Sequence, residues 1–129
     1  MPNHRHCIVS GSVLALISVV LGAFGAHALK DSLIANETTE AWKTAVNYQM
    51  WHAIALILCG ILQNKSGSYL GCALFFGFGS LLFSGSLYWI SLGGPIWLGP
   101  ITPIGGLCLI AGWLLLIITQ LKHSRNGCD

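Results

Sequence analysis

Four long runs of the sequence contain no charged side chain, and these runs limit the fold more than any other feature. They cover residues 7–29, 45–62, 69–90 and 104–121. A helix rises about 1.5 Å per residue, so about 20 apolar residues cross a hydrocarbon core about 30 Å thick. The sequence therefore predicts an all-α fold, in which residues 1–129 form a single domain with a bundle of four transmembrane helices.

The composition argues against an ordinary soluble domain, because 54% of the residues are hydrophobic and 8% are charged. A typical soluble protein has about 25% charged residues. The basic residues stand singly or in pairs at the edges of the apolar runs, whereas nucleic-acid binding needs a continuous basic face. We therefore expect the lipid bilayer as a partner and no nucleic acid.

The first run ends in Ala26-His27-Ala28, which matches the A-x-A pattern of a signal-peptide cleavage site. The apolar core of a signal peptide is about 7–15 residues long, and this run is longer. We therefore interpret it as a retained membrane helix.

Small residues recur every three or four positions on the first and third runs, so each set lies on one helix face. In membranes, such faces allow two helix backbones to approach closely. The sequence therefore predicts helix-packing residues at Gly11, Ala15, Ser18, Gly22 and Ala26 in the first run, and at Ala73, Gly77, Ser80 and Ser84 in the third.

The connections between the runs differ in character. Residues 30–40 are polar, and a second helix is predicted to begin near Glu37. Residues 91–106 are rich in glycine and proline but lack charge, which predicts a compact hairpin in the interface or against the bundle. Pro103 is equally compatible with the first turn of the last helix.

The basic residues favour one orientation in the membrane. Four spans place both termini and the turn at residue 65 on one side, with Arg5, Lys65, Lys122 and Arg125. The other side has Lys30 and Lys43. Because basic residues are enriched on the inner side of membranes, both termini are predicted to be cytoplasmic.

Several polar side chains near the other membrane face define a candidate polar site. It comprises His27, Asn47, Tyr48, His52, Ser86, Tyr88 and Thr102. His27 ends the first span and His52 lies about two turns into the second, so antiparallel helices can bring the two imidazoles together. Three roles are open for these histidines. Each fixes helix packing through one hydrogen bond, the two together handle protons or a small solute, or the two together bind haem or a metal.

Chemical motifs are scarce in the sequence. Metal or haem binding needs more ligands than are visible, and the five cysteines are dispersed without a C-x-x-C pattern, so we expect no metal and no cofactor. The spans contain no carboxylate, and Ser84 and Ser86 with His52 fit packing residues better than a catalytic pair. We therefore expect no enzymatic activity.

Four blocks of the sequence carry a family resemblance: GAFGAHAL (22–29), WKTAVNYQMWHA (42–53), FSGSLY (83–88) and GPITPIGG (99–106). In order and spacing, they resemble UPF0382, a family of small multi-pass membrane proteins also labelled domain of unknown function 423. The resemblance implies a four-span protein of the bacterial plasma membrane, with no established activity, substrate or cofactor. It places His27, His52, Ser86, Tyr88 and Pro103 inside the recurring blocks.

Two functional hypotheses from different classes follow. The first is a structural or accessory membrane component, whose partner is a second copy or another membrane protein. The second is a minor carrier or channel for protons or a small solute that uses His27 and His52. A carrier requires the two histidines to line a wet cavity, whereas an accessory protein is expected to bury them dry.

Overall fold

The computed structural model describes residues 2–65 and 69–126, and all regular elements in these ranges are helices. They are α1 (Pro2–Ala26), α2 (Lys30–Ala35), α3 (Thr39–Lys65), α4 (Leu70–Ser91), a short 3-10 helix (Ile96–Leu98) and α5 (Ile101–Asn126). Within these ranges, four helical stretches are long and apolar enough to cross a bilayer: His4–Ala26, Thr39–Gln63, Leu70–Ser91 and Ile96–Ser124. The fold is therefore all-α with four membrane helices, as the uncharged runs predict.

The helices differ in length from the uncharged runs. α3 extends from Thr39 to Lys65, so the predicted span 45–62 is its middle part. α1 begins at Pro2 and ends at Ala26, rather than covering residues 7–29. The polar headgroup layers add about 10–15 Å to the hydrocarbon core, which lets polar residues continue a helix beyond the apolar run.

The polar connection between α1 and α3 contains α2, which is not predicted from the sequence. Leu33 anchors this helix, since its side chain is buried. Glu37 has a left-handed backbone with φ of 56°. The N–H groups of Glu37 and Thr38 donate to the carbonyls of Ile34 (3.1 Å) and Leu33 (2.9 Å). These two bonds close the last turn of α2 and redirect the chain into α3.

The segment rich in glycine and proline is not a hairpin over residues 91–106, because its second half is helical. Gly93 has φ of 82° and turns the chain after α4. α5 begins at Ile101, which puts Pro103 in its first turn. At this position the missing N–H of proline removes no helical hydrogen bond.

The four long helices lie in a curved row, in their order along the chain. α3 packs against α1 on one side and α4 on the other, and α4 packs against α5. α1 and α4 meet at few points, and α1 and α5 have no extensive contact. Consecutive spans run in opposite directions, so α1 and α4 are parallel, with their N-terminal ends at the same membrane face.

The small residues of α1 pack against α3. A Cβ atom added to Gly11 would lie 2.7 Å from the Ala53 carbonyl oxygen, and one added to Gly22 would contact Val46. Ser18 is fully buried and Ala15 is half-buried. Ala26 is exposed, however, and contradicts its predicted packing role because α1 ends there.

The small residues of α4 divide between two environments. Ala73, Ser80 and Ser84 are buried. Gly77 contradicts the prediction, because a Cβ atom added there would have no atom within 4 Å. The stripe of α4 therefore faces α3 in part and an open cleft toward α1 in part.

Candidate functional site

His52 stands at the middle of α3 and forms hydrogen bonds through both ring nitrogens. Nδ1 donates to the carbonyl of Tyr48 at 2.7 Å, and Nε2 accepts from Trp113 Nε1 at 3.1 Å. The ring is 5% exposed. Because the carbonyl only accepts and the indole only donates, the geometry fits a neutral ring with its proton on Nδ1.

Aromatic rings enclose the imidazole of His52. The rings of Phe76 and Trp113 have centroids 5.7 Å and 6.0 Å from it, and the Tyr48 ring lies at 5.9 Å. Tyr48 also packs on Phe83, with centroids 4.7 Å apart. His52 therefore joins α3 to α5 in an apolar surrounding, and its ring nitrogens have no free position for a ligand.

Gln49 is the centre of a second polar group, and sequence reasoning missed it. Its Nε2 donates to the carbonyl of Leu14 on α1 at 2.9 Å, and its Oε1 accepts from the hydroxyl of Tyr88 on α4 at 2.9 Å. One side chain thus ties α1, α3 and α4 together. The signal was available, because Gln49 is three residues before His52 and hence on the same helix face.

Three further side chains fasten neighbouring helices by donating to backbone carbonyls. Ser18 donates to Val46 at 2.8 Å, and Ser84 donates to Ala45 at 2.7 Å. Trp42 Nε1 donates to Leu21 at 3.0 Å. All three bonds involve α3, which makes it the central helix of the polar network.

Ser86 and Thr102 form a separate pair between α4 and α5. Their hydroxyl oxygens are 2.6 Å apart, and Ser86 also donates to the carbonyl of Phe83 at 2.9 Å. Neither side chain has a hydrogen bond to His52 or Gln49 within the described ranges. The predicted polar site is therefore divided into pairs and small groups rather than gathered around one cavity.

His27 contradicts the predicted histidine pair. It is exposed and follows the last residue of α1, whereas His52 is 13 residues from the first residue of α3, or about 20 Å along the helix. The two imidazoles do not meet. His52 also lines neither the cavity at Asn47 nor the cleft between α1 and α4, so neither provides the wet histidine cavity that a carrier requires.

Asn47 lies apart from the other predicted residues, at a small cavity between α1, α2 and α3. This cavity has a volume of about 270 Å³ and is also lined by Thr39, Trp42 and Lys43. Lys43 is paired at 2.8 Å with Glu40, and both side chains are largely exposed. The cavity is therefore a surface feature at the end of the bundle where α1 ends.

The cleft between α1 and α4 has two halves, which meet at Leu14 and Leu81. The terminal half, at the N-terminal ends of both helices, has a volume of about 520 Å³. Its lining includes His6, Ser10 and Val13 of α1, Leu70, Gly77 and Phe78 of α4, and Leu56 of α3 at its floor. Apart from His6, Cys7 and Ser10, the lining side chains are apolar.

The far half of the cleft is smaller. Its volume is about 190 Å³, and Gln49, Ser80 and Tyr88 line it with Gly85. Ser80 is 2% exposed, and its hydroxyl has no hydrogen-bond partner among the described residues. An unpaired buried hydroxyl costs about 1–3 kcal/mol, so Ser80 is a destabilising group at this position.

Three cysteines lie in the packed core at the terminal end of the bundle. Cys7, Cys59 and Cys72 come from α1, α3 and α4, and all three are buried. In the described part of the chain, no group of three or more histidine, cysteine or acidic side chains is arranged to hold a metal ion. The cysteines act in this core as small apolar side chains.

Comparison with known proteins places this fold in a family. Residues 21–106 match the family model described as Protein of unknown function (DUF423). The chain is 44% identical over 118 residues to a UPF0382 membrane protein of Staphylococcus haemolyticus, covering 89% of this chain and 94% of the relative. It is 38% identical over 119 residues to the UPF0382 membrane protein YwdK of Bacillus subtilis, covering 90% and 96%.

A more distant relative is named as an inner membrane protein. The UPF0382 inner membrane protein YgdD of Escherichia coli K12 is 32% identical over 126 residues, which cover 95% of each chain. No solved structure matches this chain. The comparisons therefore identify a membrane protein family whose activity is unknown.

Proposed function

The chain belongs to the UPF0382 (DUF423) family, and we propose that it is an accessory component of the plasma membrane without enzymatic activity. Its partner in this proposal is another membrane protein or a second copy. Both termini are cytoplasmic, in agreement with the excess of basic residues on their side of the membrane.

The hydrogen bonding of His52 is the main support for the proposal. It is the one ionisable histidine in the middle of a described span, and both of its ring nitrogens are already bonded to protein atoms in a dry surrounding. Intramembrane ionisable groups that move protons or solutes face water-filled cavities. His52 instead fixes the relative position of α3 and α5, which is a structural role.

The outward surface supports a role in contact with other molecules. Each long helix presents large apolar side chains outward, such as Leu16, Ile54, Leu82 and Leu114. Lipid covers such side chains as well as protein does. A membrane partner can therefore bind or leave this surface without exposing it to water.

Two measurements on the full chain test the proposal. The wild-type protein in sealed vesicles should show no solute or proton flux between about pH 5 and pH 8, because His52 has no wet path. A photoreactive amino acid, placed singly at Leu16, Ile54, Leu82 or Leu114 in living cells, should give a product of one discrete mass from some positions only. Flux above that of empty vesicles, or no discrete product from any position, contradicts the accessory role.

A further inference from the structure

We propose that the terminal half of the α1–α4 cleft binds one anionic phospholipid, with an acyl chain in the cleft and the phosphate at its mouth. This site is independent of the accessory role, because it concerns a lipid and not a protein partner. The dimensions of the cleft, the charge at its mouth and the empty space beside one glycine carry the inference.

The terminal half has the depth of one membrane leaflet. Its lining on α4 extends from Leu70 to Leu81, which is about 16 Å along a helix. Half of a hydrocarbon core is about 15 Å thick. The volume of about 520 Å³ lies within the usual range for small-molecule sites, about 300–1,000 Å³. An extended chain that enters from the membrane surface therefore ends where the two halves meet.

The side chains at the mouth of the cleft favour an anion. α1 and α4 begin at this face while α3 and α5 end there, so the helix dipoles partly offset one another and the side chains decide the charge. His6 lines the mouth, and Arg5, the preceding residue of α1, is exposed. Neither helix has an acidic residue in its first turn. The described acidic residues, Asp31, Glu37 and Glu40, all lie at the opposite face. A phosphate group complements this arrangement, whereas a zwitterionic headgroup gains less from it.

Gly77 shows that the space in the cleft is not closed by protein. It lies within α4, where glycine disfavours the helix relative to alanine. Other glycines of these helices make close contacts, such as Gly79 with Leu109 of α5. A Cβ atom at Gly77 would have no neighbour within 4 Å. The absence of a side chain there keeps the cleft wide enough for an acyl chain.

Native mass spectrometry of the delipidated full-length protein tests this site. The probes are phosphatidylglycerol and phosphatidylcholine with identical acyl chains, and glycerol phosphate without chains. The wild type should retain one phosphatidylglycerol in preference to phosphatidylcholine, and it should not retain glycerol phosphate. Arg5→Gln should weaken phosphatidylglycerol binding about fivefold and leave phosphatidylcholine binding unchanged.

Two glycine variants locate the bound chain. Gly77→Leu fills the terminal half and should reduce phosphatidylglycerol binding at least as strongly as Arg5→Gln. Gly85→Leu adds the same side chain to the far half, also in open space, and should bind as the wild type does. Equal retention of both lipids by the wild type overturns the proposal. A Gly77→Leu variant that keeps its lipid overturns it as well. The same holds if Gly77→Leu converts a dimer to a monomer with lipid binding unchanged, because a second copy then fills the cleft of the wild type. If Gly77→Leu does not fold, the headgroup preference and the Arg5→Gln variant decide alone.

Discussion

At the scale of single residues, several polar side chains in this bundle bond to a neighbouring helix. Ser18 and Ser84 donate to backbone carbonyls of α3, and Gln49 links α1 to α4 through α3. In hydrocarbon, an unpaired polar group has no solvent to replace a lost partner. These side chains therefore determine which helix faces meet.

The hydrogen bond between Trp113 and His52 gives a prediction for residue coupling. His52→Leu should destabilise the protein, because it leaves the indole N–H without its acceptor, and Trp113→Phe should destabilise it as well. The double variant should lose less stability than the sum of the two single losses. The difference, the coupling energy, should be about 0.6–1.7 kcal/mol, as for interhelical hydrogen bonds in membranes. Unfolding equilibria in mixed micelles measure all four proteins. Strictly additive losses would show that the bond contributes nothing.

Single residues also show what the sequence could reveal. An imidazole within an apolar run stands out, which identifies His52, but its partner Trp113 lies 61 positions away and no local pattern marks it. Gln49 does not stand out, because it falls in the aromatic stretch that resembles a headgroup layer. Hydropathy alone does not encode the residue at which α1 ends, so it does not separate His27 from His52.

At the scale of helices, backbone approach depends on where glycine lies. Gly11 faces α3 at a distance that excludes a methyl group, whereas Gly85 faces open space. The sequence revealed the small-residue faces of α1 and α4 by their spacing. It did not reveal their neighbours, because a small side chain fits beside another helix and beside a cleft equally well.

The two glycines predict opposite outcomes for one chemical change. Gly11→Ala should destabilise the protein by about 1–3 kcal/mol, because its Cβ atom would overlap the Ala53 carbonyl oxygen and Ile57. Gly85→Ala should leave stability unchanged or raise it, since alanine favours the helix and meets no atom within 4 Å. Unfolding in detergent distinguishes them. Similar losses for both variants would mean that the seam between α1 and α3 is not tightly packed.

At the scale of the whole molecule, the number of spans was predictable and the arrangement was not. Four uncharged runs indicate four crossings, because each is long enough for the hydrocarbon core. The open cleft arises because α1 packs on α3 and meets α4 at few points. Such an arrangement depends on contacts between distant residues, which periodicity within one helix does not record.

The orientation of the molecule is tested by paired reporter fusions. A fluorescent protein joined after residue 129 should fluoresce, since both termini are predicted to be cytoplasmic. Alkaline phosphatase inserted after Asn36, between α2 and α3, should be active because this connection lies on the other side. Active phosphatase at the C-terminus combined with an inactive insertion after Asn36 would show the reverse orientation.

The four long helices pack in the same order as they occur along the chain, and this order bears on how the protein enters the membrane. α3 is the least apolar of the four spans, and it enters the membrane when α1 is already there. The carbonyls of Leu14 and Leu21 can then receive Gln49 and Trp42 as these residues arrive. We therefore expect α1 to assist the insertion of α3, so that α4 and α5 join a pair that has already formed.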